Sequence, residues 1–107
     1  MKVTPEYLNF VMDKLSPIGD IKSRAMFGGY GIFHKGLMFA LISEDTLYFK
    51  VSESNRDIYI KAHSQPFPHG ISYWEVPTDV LEEDDMLHKW ANISIEVAHG
   101  SASKKRK

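Results

Sequence analysis

Residues 24–39 read RAMFGGYGIFHKGLMF and set four glycines, three of them within residues 28–31, among aromatic and aliphatic side chains. Gly28, Gly29 and Gly31 suit two β-strands that join or bend where only glycine fits. A phosphate-binding loop would place the start of a helix after its glycines. Here Ile32 and Phe33 continue an extended apolar pattern instead. The stretch is therefore interpreted as a glycine-bent β-hairpin.

Helix and strand patterns lie on both sides of this hairpin. Thr4 and Pro5 are typical of a helix N-cap and first helical position, so a helix begins there. Period-two alternation and turn residues predict strands over residues 21–27, 37–42, 46–51 and 71–76. Helical periodicity predicts helices over residues 53–62 and from the acidic run at 82–85 to Gly100. The expected fold is α+β, a mostly antiparallel sheet of about five strands with helices on one face, in the order α-β-β-β-β-α-β-α.

Length and composition indicate one folded domain. The 107 residues are 43% hydrophobic and 25% charged, which is ordinary for a globular domain. We expect the domain to span residues 1–100 and residues 101–107 to form a disordered basic tail. The sequence has no cysteine, which excludes disulfides and thiolate chemistry. No apolar run is long enough to cross a bilayer, and a cytoplasmic location is expected.

Charge argues against a nucleic-acid-binding body. Four of the 13 basic residues are the last four, Lys104, Lys105, Arg106 and Lys107. The remaining nine basic residues are outnumbered by 14 acidic ones, a net charge of about −5 that would repel phosphates. Direct DNA binding is therefore expected to be weak or absent, with the tail, Lys22 and Arg24 as the candidate contacts.

The sequence shows none of the residue patterns that are typical of catalytic or metal sites. The five histidines show no helical i, i+4 pair, so a metal site is not predicted. The carboxylates at 82–85 are consecutive and point in different directions on a helix, which does not suit acid–base catalysis. None of the serines lies in a nucleophile elbow. We expect no catalytic residue, cofactor site or metal site, and hence no enzyme.

Aromatic residues offer a different kind of site. Strand alternation places Tyr73 and Trp74 on opposite faces, and an antiparallel sheet with helices on one side leaves its other face uncovered. Tyr30, Tyr73 and Trp74 are therefore candidate residues of a protein or homodimer interface. The alternative is a small-ligand-binding or enzymatic pocket near Gly28 to Tyr30 and the loop at Pro66 to His69. Its polar candidates are Arg24, Tyr30, His69 and Tyr73.

A family resemblance supports the first of these hypotheses. MFGGYGIF (26–33), GLMFALI (36–42), DTLYFKV (45–51), ISYWEVP (71–77) and HKWA (88–91) occur in this order. From about residue 7 to residue 98 the sequence resembles the TfoX/Sxy N-terminal domain family of bacterial competence regulators. The matching motif residues are Met26, Phe27, Gly28, Gly29, Tyr30, Gly31, Tyr73, Pro77 and Trp90.

The resemblance implies a non-enzymatic domain that regulates transcription by protein contacts. Members of the family act as coactivators of competence genes together with the cyclic-AMP receptor protein, which makes that protein the implied partner. Full-length members add a C-terminal helical domain, whereas this sequence is expected to hold the N-terminal domain and a basic tail. The family has no established catalytic residues to transfer.

Overall fold

The computed structural model describes residues 3–26, 28–68 and 72–105, with side chains described up to residue 100. Its elements are α1 (Pro5–Leu15), a 3₁₀ turn (Ser16–Ile18), β1 (Ile21–Met26), β2 (Gly29–His34), β3 (Leu37–Ser43), β4 (Thr46–Lys50), α2 (Arg56–Lys61), β5 (Tyr73–Glu75), α3 (Thr78–Glu82) and α4 (Asp84–Lys105). The predicted α+β class and element order are confirmed, and α3 is a short addition before the last helix.

The sheet is an antiparallel meander in the order β1-β2-β3-β4-β5. Two-residue turns at Lys35 and Gly36 and at Glu44 and Asp45 join β2 to β3 and β3 to β4, and all four residues have positive φ. The register shifts between Ile32 and Phe33, so that β3 holds one extra residue there, and the described hairpins otherwise pair regularly.

Helices cover one face of this sheet. The buried core joins strand residues such as Ile32, Ile42 and Phe49 to Leu87 and Trp90 of α4. The helical period of the sequence predicts a buried face of α4 at Leu87, Trp90, Ala91, Ser94, Val97 and Ala98. All of these are buried except Val97, which is half-buried, and Ile95 is buried in addition. This packing fixes which face of each strand is left uncovered.

The start of α1 is also as predicted. The Thr4 hydroxyl accepts a hydrogen bond from the Tyr7 backbone N–H at 3.2 Å. The same hydroxyl donates to Asp45 at 3.0 Å, and the Thr4 backbone N–H donates to Asp45 at 2.8 Å. The N-terminus of α1 is thus attached to the β3–β4 turn.

Three predicted boundaries were wrong. The helix expected over residues 53–62 is only Arg56–Lys61, because the Asn55 side chain accepts from the Ser52 backbone N–H and holds a turn before it. The acidic run is split at Glu83, between α3 and α4. The last helix passes Gly100 and continues to Lys105, where a stop had been expected. Phe27 and Ile71, predicted strand residues, lie outside the described residues.

None of the helices within residues 3–26, 28–68 and 72–105 combines the length and apolar character required to cross a membrane.

Candidate interaction surface

Strand register divides the sheet side chains between two faces. Residues paired across antiparallel strands share a face, and Arg24, Gly31, Leu41, Tyr48 and Glu75 form such a row. The helices pack on the other face, against Ile32, Ala40 and Phe49. We call the face without the helices the open face. Its described strand residues include Lys22, Arg24, Met26, Gly31, Phe33, Met38, Leu41, Tyr48, Lys50, Tyr73 and Glu75.

The open face carries a thin apolar layer made by its own side chains. Leu41 and Tyr73 are each only 5% exposed, although neither belongs to the main core. The Tyr73 hydroxyl donates to the Met38 carbonyl at 3.3 Å, so the ring spans two strands. Phe67 places its ring edge-on to Tyr48, with centroids 4.9 Å apart. This layer buries the middle of the face and leaves Tyr48 and Phe67 half-buried.

Gly31 sits beneath a convergence of three apolar side chains. A Cβ atom at this position would lie 2.8 Å from the Met26 sulfur, 3.1 Å from the Met38 sulfur and 3.1 Å from the Phe33 ring. The absence of a side chain therefore lets two methionines and a phenylalanine close over the strand. Methionine side chains adapt their shape to different partners, which suits a contact surface.

Cations border the apolar layer. The Lys50 ammonium lies 5.3 Å from the centre of the Tyr73 ring, and the Arg24 guanidinium lies 6.0 Å from the centre of the Phe33 ring. Lys22 is exposed on β1, beside Arg24. Against these three cations the described strand residues of this face offer Glu75 as an acid. The open face is thus locally basic on a chain whose body is acidic.

The predicted interface residues are divided between the two faces. Tyr73 lies on the open face, where burial raises the pKa of its phenol to about 12. Tyr30 pairs with Ile42 and Trp74 pairs with Phe49, which places both on the helix-covered face. Trp74 packs against Tyr59 with ring centroids 6.4 Å apart. Replacing Trp74 would therefore disturb core packing before it tested any interface.

The family motif residues mostly shape the fold. A Cβ atom at Gly29 would collide with the Ile42 carbonyl oxygen, so the β2–β3 approach requires glycine there. Trp90 is buried and stacks edge-on against Tyr59, with centroids 4.7 Å apart. Pro77 directly precedes α3. Phe27 of the motif lies outside the described residues.

The alternative ligand pocket is not assembled by the described residues. Tyr30 lies on β2 and Tyr73 on β5, three strand spacings or about 14 Å apart, and on opposite faces. Gly28 lies in the turn between β1 and β2, at one edge of the sheet, whereas Pro66 pairs with Trp74 at the other edge. His69 lies outside the described residues. Within the described part of the chain, no three histidine or acidic residues are grouped to hold a metal ion.

Sequence reasoning missed Phe33, Met38, Tyr48 and Phe67 as surface residues. Tyr48 could have been found, because strand alternation places it opposite the core residues Leu47 and Phe49. Phe33 and Met38 could not, because the register shift between Ile32 and Phe33 interrupts the alternation. Phe67 gives no such signal, because it lies in an irregular segment outside the named strands. Of the predicted tail contacts, the backbones of Lys104 and Lys105 lie in α4, and Arg106 and Lys107 are outside the described residues.

Comparison with known proteins agrees with the motif order. A search of curated proteins gave no match. The sequence model of the TfoX N-terminal domain matches residues 13–98. This span holds every strand of the sheet, α2, α3 and most of α4. The chain is therefore a regulatory type of domain and belongs to the TfoX N-terminal domain family.

Proposed function

We propose that this domain is a non-enzymatic adaptor in bacterial transcription, acting in the cytoplasm by binding a protein through the open face of its sheet. The observation that carries the proposal is the apolar layer of Phe33, Met38 and Tyr48, which is half-buried, bordered by cations and not covered by a helix of the described part of the chain. Protein interfaces are enriched in aromatic residues, methionine and arginine, which is the composition of this face.

Burial within the face supports binding rather than catalysis. Tyr73 and Leu41 are already packed, so the face is preorganised and a partner would not have to order it. The charged groups on the described strand residues of this face are Lys22, Arg24, Lys50 and Glu75, spread over β1, β4 and β5. Groups so distributed suit the rim of an interface better than a site that concentrates reactivity on one atom.

The resemblance to TfoX/Sxy proteins names the first partner to test. Members of that family coactivate competence genes with the cyclic-AMP receptor protein, so we propose the same setting for this domain. Binding of the purified domain to purified cyclic-AMP receptor protein can be measured by biolayer interferometry, with and without promoter DNA.

A pair of double variants separates the open face from the rest of the surface. Phe33→Ser with Tyr48→Ser removes two aromatic rings of the open face. Phe10→Ser with Ile60→Ser removes two apolar side chains that are 40% and 51% exposed on α1 and α2. We expect the first pair to weaken binding by at least roughly tenfold, as hot-spot aromatics do, and the second to leave it unchanged.

Two results would reject parts of the proposal. If the wild-type domain does not bind the receptor protein under either condition, the proposed coactivator role fails. If both double variants bind as the wild type does, the partner uses another surface and the open face loses its function. Circular dichroism and thermal unfolding of each variant confirm that the fold is intact before binding is compared.

A further inference from the structure

Among the described residues, strand β1 pairs on one side only, with β2. The Lys35 backbone N–H donates to the Asp20 carbonyl at 3.3 Å, which identifies their antiparallel pair as a hydrogen-bonded one. Hydrogen-bonded and non-hydrogen-bonded pairs alternate along such a ladder. Lys22, Arg24 and Met26 therefore direct their backbone groups at β2, while Ile21, Ser23 and Ala25 direct theirs away from the sheet.

This outer edge is accessible. Lys22, Ser23, Arg24 and Ala25 are all exposed. The described residues make no hydrogen bond to the backbone groups of Ile21, Ser23 or Ala25 outside the sheet. Three N–H donors and three carbonyl acceptors thus form a ready template for one more strand.

The opposite edge of the sheet is closed. The Phe67 backbone N–H donates to the Tyr73 carbonyl at 2.7 Å, and the Glu75 backbone N–H donates to the Gln65 carbonyl at 2.9 Å. Pro66, between them, has no N–H to offer a further strand. Of the two edges, β1 is therefore the one at which a strand can be added.

A shallow depression lies on each side of β1. The one on the open-face side has a volume of about 470 Å³ and is lined by Lys22, Arg24, Lys35, Phe33 and Asp20, among others. The one on the helix-covered side has a volume of about 490 Å³ and is lined by Val3, Pro5, Ala25 and Tyr30, among others. An added strand would alternate its side chains between a basic depression and a mainly apolar one.

Charge selects among the strands that fit this edge. A second copy that paired β1 with β1 would set Lys22 and Arg24 of each chain against those of the other, and like charges directly opposite destabilise a sheet. A segment with carboxylates on alternate residues would instead face three cations and one acid, Asp20. Electrostatic complementarity therefore favours a foreign acidic strand over a homodimer.

We propose that the β1 edge binds an extended segment of a partner protein as a sixth strand, with acidic and apolar residues alternating along that segment. Backbone hydrogen bonds to Ile21, Ser23 and Ala25 supply the docking, and the two depressions supply the selectivity. This inference rests on the proposed function, since it gives the chemistry of a segment that an adaptor would capture.

Peptide binding tests the proposal directly. The probe is a capped eight-residue peptide that alternates glutamate with valine. One control alternates lysine with valine, and another holds the same four glutamates and four valines in two blocks. Fluorescence anisotropy should show binding of the alternating acidic peptide, at least roughly tenfold weaker binding of the other two, and weakening with added salt.

Amide hydrogen exchange, followed by NMR, locates the bound strand. The amides of Ile21, Ser23 and Ala25 should exchange rapidly in the free domain and slow on addition of the acidic peptide. Those of Lys22 and Arg24 already bond to β2 and should change little. Protection that appears elsewhere, for example on β4, would overturn the proposal, as would equal binding of the blocked peptide.

Variants of one residue separate the backbone from the side chain. Ser23→Pro removes an outward N–H that the sheet itself does not use, and Ser23→Ala keeps that N–H. We expect the proline variant to bind the acidic peptide roughly tenfold or more weakly, because a donor is lost and the strand can no longer approach. The alanine variant should bind as the wild type does. If the two variants bind alike, no strand is added at this edge.

Charge reversal gives an independent check. Arg24→Glu should weaken the acidic peptide and strengthen the lysine peptide, whereas Lys61→Glu, on the exposed surface of α2, should do neither. Tyr48→Ser alone, on β4 and outside both depressions, keeps the edge and should still bind the acidic peptide. If the acidic peptide does not bind while the domain still binds the receptor protein through its open face, the sixth-strand proposal is rejected and the proposed function is not. An octathymidylate that binds more tightly than the acidic peptide would also overturn it, since the edge would then be selecting phosphates.

Discussion

The helix-covered face and the open face are built from the same five strands, but they reach burial by different means. On the covered face, Phe49 and Ile42 are buried by residues of α4 and the other helices. On the open face, Tyr73 and Leu41 are buried outside the main core. The Tyr73 ring lies under the Lys50 ammonium, and its hydroxyl donates to the Met38 carbonyl. One face is closed by distant parts of the chain, and the other is shielded by a single layer of side chains.

This difference indicates where stability and binding are separated. Helix packing stabilises one face by burying large side chains completely, so substitutions there should cost folding free energy. The open face keeps its apolar side chains partly accessible, so substitutions there should affect a partner more than the fold.

The largest expected effect comes from comparing two phenylalanines on opposite faces of the sheet. Phe49 is fully buried and packs against Phe39 with ring centroids 6.0 Å apart. Phe49→Ala should lower the free energy of unfolding by about 3–5 kcal/mol, because it leaves a cavity in the core. Phe33→Ala should lower it by less, about 1 kcal/mol, since that ring is half-buried under an arginine. Urea unfolding of both variants measures the two values.

Equal losses in the two variants would contradict the comparison. In that case the open face would be as important for folding as the core, and its apolar residues would need no partner to explain them. Unchanged urea m-values are the control, since they show that the denatured states remain comparable.

Two glycines of β2 provide the next test. Gly29→Ala should destabilise the fold by about 3 kcal/mol or more, because its methyl group would meet the Ile42 backbone carbonyl. That carbonyl cannot shift without moving strand β3. Gly31→Ala would meet the ends of two methionines and a phenylalanine, which can rotate away. Its cost should stay within about 1 kcal/mol, partly offset by a less flexible unfolded chain. Thermal unfolding of both variants would contradict this order if Gly31→Ala proved the more costly.

Sequence patterns predicted the covered face better than the open one. The helical spacing of Leu87, Trp90 and Ala91 and the alternation of Leu47 and Phe49 gave the core, because burial by helices imposes those periods. Thr4 gave the start of α1 from its capping chemistry alone. These features depend on residues close in sequence, which is why they could be read from it.

Features that depend on distant residues could not be predicted. The placement of Phe67 on Tyr48 needs the segment after α2 to return along β5, and no local pattern encodes that path. The exposed edge of β1 depends on which strand ends the sheet, which requires the full strand order. Tyr73 and Trp74 were correctly assigned to opposite faces, but their alternation alone could not say which face the helices cover.

Removing two buried tyrosine hydroxyls should change the stability by smaller amounts and in opposite directions. Tyr73→Phe removes the hydrogen bond to the Met38 carbonyl on the open face and should cost about 0.5–1.5 kcal/mol. On the covered face, the Tyr59 hydroxyl is buried with no hydrogen-bond partner in the described part of the chain, and nearby Ser94 donates to Lys50 instead. Tyr59→Phe should therefore be neutral or stabilising, by up to about 1 kcal/mol. Chemical denaturation of the two variants would contradict this if Tyr59→Phe were the more destabilised.

The same substitution at Tyr73 has a pH signature. Burial raises the pKa of Tyr73 from 10 to about 12, so the folded state holds the phenol proton more tightly than the unfolded state does. Its contribution to stability is present below pH 10 and is lost as the pH rises from 10 to 12. Tyr73→Phe should therefore flatten the alkaline loss of stability in that window. An alkaline profile identical to that of the wild type would show that Tyr73 is not the group responsible.

The smallest effect is expected where β2 meets α4. His34 Nδ1 and His99 Nε2 lie 3.1 Å apart, and burial, with smaller contributions from His99 and Lys35, lowers the pKa of His34, which nearby Asp20 opposes. The unfolded chain therefore takes up the proton more readily, and stability should fall as the pH drops below about 6.5 toward the lowered pKa. His34→Gln should reduce this dependence, whereas His63→Asn, at an exposed turn position with positive φ, should keep it. Denaturation midpoints at several pH values between 7.5 and 5 measure the slopes. If stability fell more steeply with decreasing pH in His34→Gln than in the wild type, the contact between His34 and His99 would stabilise the fold when it is protonated. Protonation would then strengthen the packing of α4 on β2, which is the opposite of what is expected here.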